Sequence, residues 1–176
     1  MNYLKFTLLY LCYAVTLFFF TIYSYSQIDL NLTLSSNSAY QTIQQQLIAL
    51  GYFNRPLSTL FFLILTLILF IFYFLILYWI RLNKLKAQNV KWLIFLSVGI
   101  LFISYPAFSH DLFNYMFDAR ILSKYHLNPY TYKALDFPND LWIRFMHWTH
   151  RTYPYGPIWL GITMPFSALG FEKFVL

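Results

Sequence analysis

Charge is what this sequence has least of. Lys, Arg, Asp and Glu make up 10% of its 176 residues, while hydrophobic types make up 60%. An ordinary soluble domain carries about a quarter of its residues as charge, so this chain has too few to cover a water-facing surface. Cysteine is nearly absent too: Cys12 stands alone, which rules out a disulfide within the chain. No internal repeat and no low-complexity linker divides the sequence. The formal charge of +6 comes from basic residues in loops beside apolar runs. There it sets membrane orientation and calls for no nucleic-acid partner. Aromatics, by contrast, are plentiful at 23%, which suits a lipid-facing surface with interfacial anchors.

The apolar runs locate the expected spans. Crossing roughly 30 Å of hydrocarbon takes about 20 apolar residues in a helix. Phe6 to Tyr23, Leu57 to Ile80 and Trp92 to Phe108 are uncharged, and a fourth run opens at Ile158. The expected fold is all-α: a polytopic transmembrane helical protein with external amphipathic or loop helices. It reads as a single membrane domain with spans at about 6–23, 57–80, 92–108 and 157–170 and external segments 24–56 and 109–156. Arg81, Lys84, Lys86 and Lys91 crowd the loop between the second and third runs with no acid among them, which places that loop and the amino terminus in the cytoplasm. The first run is longer than a signal core and lacks a small-x-small cleavage site, so it reads as a retained anchor. Tyr40, Ile43, Leu47 and Leu50 recur at helical spacing, predicting an amphipathic helix over Tyr40 to Phe53 on the outer membrane surface.

Polar residues become dense only after Phe108. Read as a helix, Asp111, Asn114, Tyr115, Asp118 and Tyr125 share one face, while Leu112, Met116 and Ala119 lie elsewhere. Two carboxylates, an amide and two phenols on one stripe at the membrane boundary make a candidate site. A structural reading stands beside it, because Ser109 is a good N-cap and Asp111 complements the helix dipole. Asn128-Pro129 is a helix stop and turn signal. His147 and His150, three apart, lack further matching ligands, so no metal site is expected. Arg151 is a cation beside the membrane, suited either to a lipid phosphate or to simple solvation. Pro157 is placed to open a helix after the Tyr153-Pro154-Tyr155-Gly156 loop, and that loop serves as a rigid lead into the membrane or as a wall held still beside a reaction centre.

Ser109-His110-Asp111-Leu112-Phe113-Asn114-Tyr115, Asn128-Pro129-Tyr130 and Tyr153-Pro154-Tyr155-Gly156-Pro157-Ile158-Trp159 together resemble membrane glycosyltransferases of the GT-C superfamily, most closely the polyprenol-phosphate-dependent mannosyltransferase-like branch. The resemblance covers about a third of the chain. It implies a multi-pass cell-membrane enzyme that moves a hexose, mannose by this likeness, at the outer face with inversion. Its partners would be a polyprenyl-phosphate sugar donor, a glycan or lipid-linked acceptor and membrane lipid, with no cofactor. The family's essential aspartate, a general base toward the acceptor hydroxyl, carries over to Asp111. Asn114, Asp118, Arg151 and Tyr155 are the expected substrate-binding residues, and Arg120 competes with Arg151 for the departing phosphate. Many members carry the aspartate after the first span, which makes Asp29 the rival to Asp111, although Gln27-Ile28-Asp29-Leu30-Asn31 lacks the motif. Four spans are few for the superfamily and the chain stops in apolar sequence at Phe174-Val175-Leu176, so an amino-terminal fragment, inactive alone, is expected.

Two other functions compete. A transporter or lipid-handling protein without glycosyl transfer should carry charges or helix breakers inside its spans. These spans hold almost none, and polarity gathers outside them. A membrane scaffold without catalysis is the third reading.

Overall fold

A computed structural model describes residues 3–32, 34–109 and 111–169. His110 of the aspartate motif and the tail from residue 170 onward, with the end of the fourth run, lie outside the described residues. Among the described residues every extended element is helical, and a single isolated bridge pairs Lys133 with Thr152. The chain folds as two compact units, one from residues up to 28 with 36–107, the other from 29–35 with 108 onward.

The first unit is built on α1 (Tyr3–Ser24), α2 (Ser38–Ile48), α3 (Arg55–Arg81) and α4 (Ala87–Leu101). Leu9, Leu85 and Leu93 are buried together, with Tyr13, Phe72 and Trp79 packed around them. Hydroxyls supply the other contacts between helices. The Tyr10 hydroxyl donates to the Asn89 carbonyl at 2.8 Å, Tyr13 and Ser97 hydroxyls meet at 2.8 Å, and Tyr23 and Ser58 meet at 3.0 Å. Such directional bonds fix which faces of these apolar helices meet, which burial of hydrocarbon alone does not specify. α1 and α3 are the two helices among the described residues long and apolar enough to cross a membrane. Pro56 opens α3, where its missing N–H costs nothing, and Arg81 closes it against the carboxyl-terminal dipole.

Two expectations change here. The third apolar run, read as 92–108, is the helix Ala87–Leu101, shorter and shifted toward the amino terminus. The Ser104 hydroxyl donates to the Leu101 carbonyl at 2.6 Å, and the Tyr105 N–H donates to the Ser24 hydroxyl at 2.9 Å. Both bonds take the chain out of the helix before Pro106. The amphipathic helix read over Tyr40 to Phe53 ends its α-helical part at Ile48 and continues as a wider turn, Ala49–Phe53. Its inward face also differs, since Gln44 is buried and Ile43 is exposed. Gly51 in that turn lies against the backbone of Ser26: a β-carbon there would sit 1.8 Å from the Ser26 carbonyl oxygen, a contact only glycine avoids.

The second unit holds α5 (Asp111–Ser123) and α6 (Pro157–Leu169), joined by a long segment with two short 3-10 turns, Ala134–Asp136 and Leu141–Phe145. α5 packs on α6 and on the second of these turns. Ala119, Tyr153 and Leu160 form its buried centre with Met164 against them. Phe117, Tyr125 and Tyr132 gather around Phe137. The Tyr153 N–H donates to the Pro129 carbonyl at 2.9 Å, fastening the Asn-Pro-Tyr turn to the Tyr-Pro-Tyr segment 24 residues later. The connection is therefore a packed structure, which lets it position side chains over α5.

Candidate functional site

α5 begins where the Ser109 hydroxyl accepts the Asp111 N–H at 3.1 Å, a capping bond that satisfies one of the helix's open donors. From that start, Asp111, Asn114 and Asp118 fall on successive turns of one face. Phe113, Phe117 and Ile121 are buried on the others. A strap of residues 148–155 lies across the polar face. Asp111, Asn114, Tyr115 and Asp118 from the helix and Trp148, Arg151, Thr152, Pro154 and Tyr155 from the strap enclose a cavity of about 230 Å³. The Tyr115 hydroxyl donates to that of Tyr155 at 3.1 Å, and the Tyr115 ring meets Tyr155 and Trp159 edge-on at 5.2 and 5.9 Å. This aromatic corner ties the strap to the first turns of both helices. The hydrogen bond to Tyr155, with burial added, raises the Tyr115 pKa above its usual value.

The cavity's charges are unspent. Among the described residues, Asp111 forms no ion pair and its carboxylate takes no hydrogen bond. Arg151 also forms no ion pair, and its guanidinium carbon lies over the Trp148 ring, 4.3 Å from the centroid. This cation–π contact holds the guanidinium in place without using its N–H donors. Deeper in, Asp118 is 5% exposed and Asn114 8%. Burial pushes the Asp118 carboxyl up to about 7, because no cation or donor compensates its loss of water.

Arg120 and Tyr125 belong elsewhere, contrary to their expected places. The Arg120 guanidinium donates from Nε to Asp140 at 2.8 Å and stacks over Trp142 at 4.2 Å. It is buried and neutralised, so it cannot compete with Arg151 for a phosphate. Tyr125 lies beyond the end of α5, off the stripe: its hydroxyl donates to Asp140 at 2.7 Å and its ring packs tilted against Phe137. Burial and the bond to Asp140 push its pKa up to about 12. Burial also raises the Asp140 carboxyl, but Arg120, Tyr125 and the Trp142 N–H outweigh it and hold the group below the ordinary carboxylate range. Asp29 accepts the Asn31 N–H in a local turn at 2.8 Å and does not line the cavity. His147 and His150 join no cluster of three potential metal ligands among the described residues.

Asp111, Asn114, Asp118, Arg151 and Tyr155 thus surround one cavity. Trp148 and Thr152, which also line it, were not singled out from the sequence. The aromatic three residues before Arg151 was the available signal for Trp148. Nothing local marks Thr152 as different from the chain's other threonines. Residues 30–175 match a protein family described as alpha-(1->6)-mannopyranosyltransferase, N-terminal domain. No curated protein and no solved structure matches the chain.

Proposed function

This chain belongs to the alpha-(1->6)-mannopyranosyltransferase family, as a mannosyltransferase-like glycosyltransferase domain, and from that premise we propose a specific reaction: transfer of mannose from a polyprenyl-phosphate donor at the outer membrane face, in the manner of the GT-C enzymes. The observation that carries this reading is the pair of unneutralised charges, Asp111 and Arg151, lining one cavity. The acceptor hydroxyl forms a bond to the anomeric carbon from the face opposite the leaving phosphate, and gives its proton to the Asp111 carboxylate. The bond from the anomeric carbon to the phosphate oxygen breaks, and its electron pair leaves with the polyprenyl phosphate. Arg151 offsets the charge that develops on that leaving group. Asn114, Asp118 and Tyr155 hold the sugar.

α3 supports a membrane setting. No charge falls between Arg55 and Arg81, and Leu63, Leu67, Phe70, Ile71 and Phe74 are all exposed. A continuous apolar face of this length exceeds what a water-soluble monomer displays, and hydrocarbon chains would cover it. Several spans, a cytoplasmic amino terminus and an outward Asp111 complete the proposal. With Cys12→Ser as background, Lys84→Cys should resist a membrane-impermeant thiol reagent in intact cells and react once the membrane is opened. Labelling in intact cells reverses the orientation and puts Asp111 on the wrong side.

The donor is tested directly. Membranes containing the full-length protein should transfer mannose from a polyprenyl-phosphate mannose to a mannoside acceptor, and should not do so from a sugar nucleotide once lipid-linked donor synthesis is blocked. Continued transfer from the nucleotide under that block removes the lipid-donor reading.

A further inference from the structure

The two folded units share the charge unequally. The first, residues up to 28 with 36–107, carries Lys5, Arg55, Arg81, Lys84, Lys86 and Lys91 in its sequence and no acid at all. Four of these cations fall within residues 81–91, between α3 and α4. All four are exposed, and none forms an ion pair among the described residues. The turn that carries them is held in one shape. The Asn83 N–H donates to the Ile80 carbonyl and the Lys84 N–H to the Trp79 carbonyl, both at 2.9 Å, with Asn83 left-handed at φ 53°. This is a Schellman closure of α3, and asparagine stands where glycine is most common. Leu85 then enters the core beside Leu9 and Leu93, 5% exposed. Lys86 opens α4, its carbonyl accepting the Asn89 N–H at 2.9 Å, and the Tyr10 bond to Asn89 fastens that side to α1. We propose that this turn is a docking surface for the headgroup of an anionic phospholipid, with Arg81, Lys84, Lys86 and Lys91 as its cationic contacts. The proposal rests on the membrane setting read from α3. It goes beyond orientation, which needs only the number of basic residues and not a fixed arrangement of them.

Position and charge name the occupant. Tyr78 precedes the cluster and Trp92 follows it, 58% and 57% exposed. Such side chains settle at headgroup depth, which puts the cations between them at the level of lipid phosphates. Four Lys and Arg beside a membrane helix are enough to recruit anionic lipid, each drawing it about fivefold. A zwitterionic headgroup brings a cation of its own to a unit that holds no carboxylate to receive it, so a net negative headgroup is favoured. An acidic protein fits less well. Protein interfaces bury an apolar centre, and within residues 82–90 Leu82 is the one large hydrophobic side chain that is exposed. The pinned backbone adds selectivity, because ordering of the turn is completed by folding and is not charged against each lipid that binds.

The test uses the full-length protein in phosphatidylcholine vesicles with salt equilibrated on both sides. Phosphatidylglycerol and phosphatidylcholine, each spin-labelled on the acyl chain, are compared by the fraction immobilised against the protein. Wild type should prefer phosphatidylglycerol about fivefold at low salt, and the preference should fall below about twofold at 1 M salt, where the screening length is about 3 Å. Lys84→Gln combined with Lys86→Gln should bring it below about twofold at low salt without moving the melting temperature, because both side chains are exposed and unpaired. Arg55→Gln, at the opposite end of α3, should keep the full preference. A preference that survives the double substitution, or that Arg55→Gln removes equally, overturns the surface. Inorganic phosphate at matched ionic strength should leave the lipid in place. Displacement by phosphate would make this a site for the free anion, and displacement by a glutamate-rich peptide at that ionic strength would make it a protein-binding face; either result overturns the lipid assignment. Equal immobilisation of both lipids overturns the proposal and leaves the membrane setting standing, whereas immobilisation of neither removes both.

Discussion

Asp111→Asn in the full-length protein is expected to lower mannose transfer about a hundredfold or more with no loss of folded protein. Asparagine matches the shape of aspartate, and the bond that starts α5 is made by the Asp111 backbone N–H to Ser109, which the substitution leaves in place. The carboxylate itself holds nothing: among the described residues it joins no ion pair and accepts no hydrogen bond. Only proton acceptance is removed, so the deficit belongs in kcat, with KM for the donor changing little. Asp29→Asn is the control, because Asp29 accepts the Asn31 N–H in a turn away from the cavity. Near-normal transfer by Asp111→Asn, with transfer abolished in Asp29→Asn, would move the base to Asp29 and dismantle the assigned site.

The second large effect concerns stability. Asp140→Ala is expected to destabilise the second unit by about 3–5 kcal/mol, the usual result of stripping one partner from a buried ion pair. Three bonds converge on this carboxylate: Arg120 Nε at 2.8 Å, the Tyr125 hydroxyl at 2.7 Å and the Trp142 N–H at 3.0 Å. Removing it strands the Arg120 guanidinium, whose side chain is 7% exposed, and uncaps the Leu141–Phe145 turn that packs on α5. The pair also predicts acid sensitivity. The Asp140 carboxyl is held below its usual range in the folded state, so its contribution is present above about pH 4 and fades as pH falls through the lower folded value. Thermal melts in detergent at pH 7 and pH 3 measure both effects. A melting temperature unchanged by Asp140→Ala would show that the pair anchors nothing.

The stripe on α5 was legible because helical periodicity is local. Asp111, Asn114 and Asp118 need only the rise of their own helix to line up. Periodicity failed at Tyr125 because the helix had already ended. α5 stops at Ser123, His126 takes a left-handed conformation with φ 55°, and Leu127 donates back to Ile121, all before the Asn128-Pro129 signal arrives. Arg120 was misread for another reason, since its partner Asp140 is 20 residues away and no spacing rule joins them. The third apolar run shows the limit of hydropathy. Its composition is continuous through Ile103, yet hydroxyls at Ser24 and Ser104 decide where the helix stops. Arg151 and Tyr155 were picked out by chemistry and motif, but their meeting with α5 depends on the strap's long-range bond from Tyr153 to Pro129.

The unequal lengths of α1 and α3 have a mechanical consequence. At about 1.5 Å per residue, the 22 residues of α1 measure roughly 33 Å and the 27 of α3 roughly 40 Å. In the proposed bilayer, with a hydrocarbon layer of about 30 Å, the shorter helix nearly matches the thickness and the longer one overshoots it. α3 must lean, or push its ends past those of α1. The second option is provided for by Tyr78, Trp79 and Arg81 at one end and Arg55 at the other, all side chains that settle at headgroup depth. A thinner membrane forces more lean on α3 than on α1, so the angle between the two packed helices, and the loop geometry above them, becomes a function of lipid chain length.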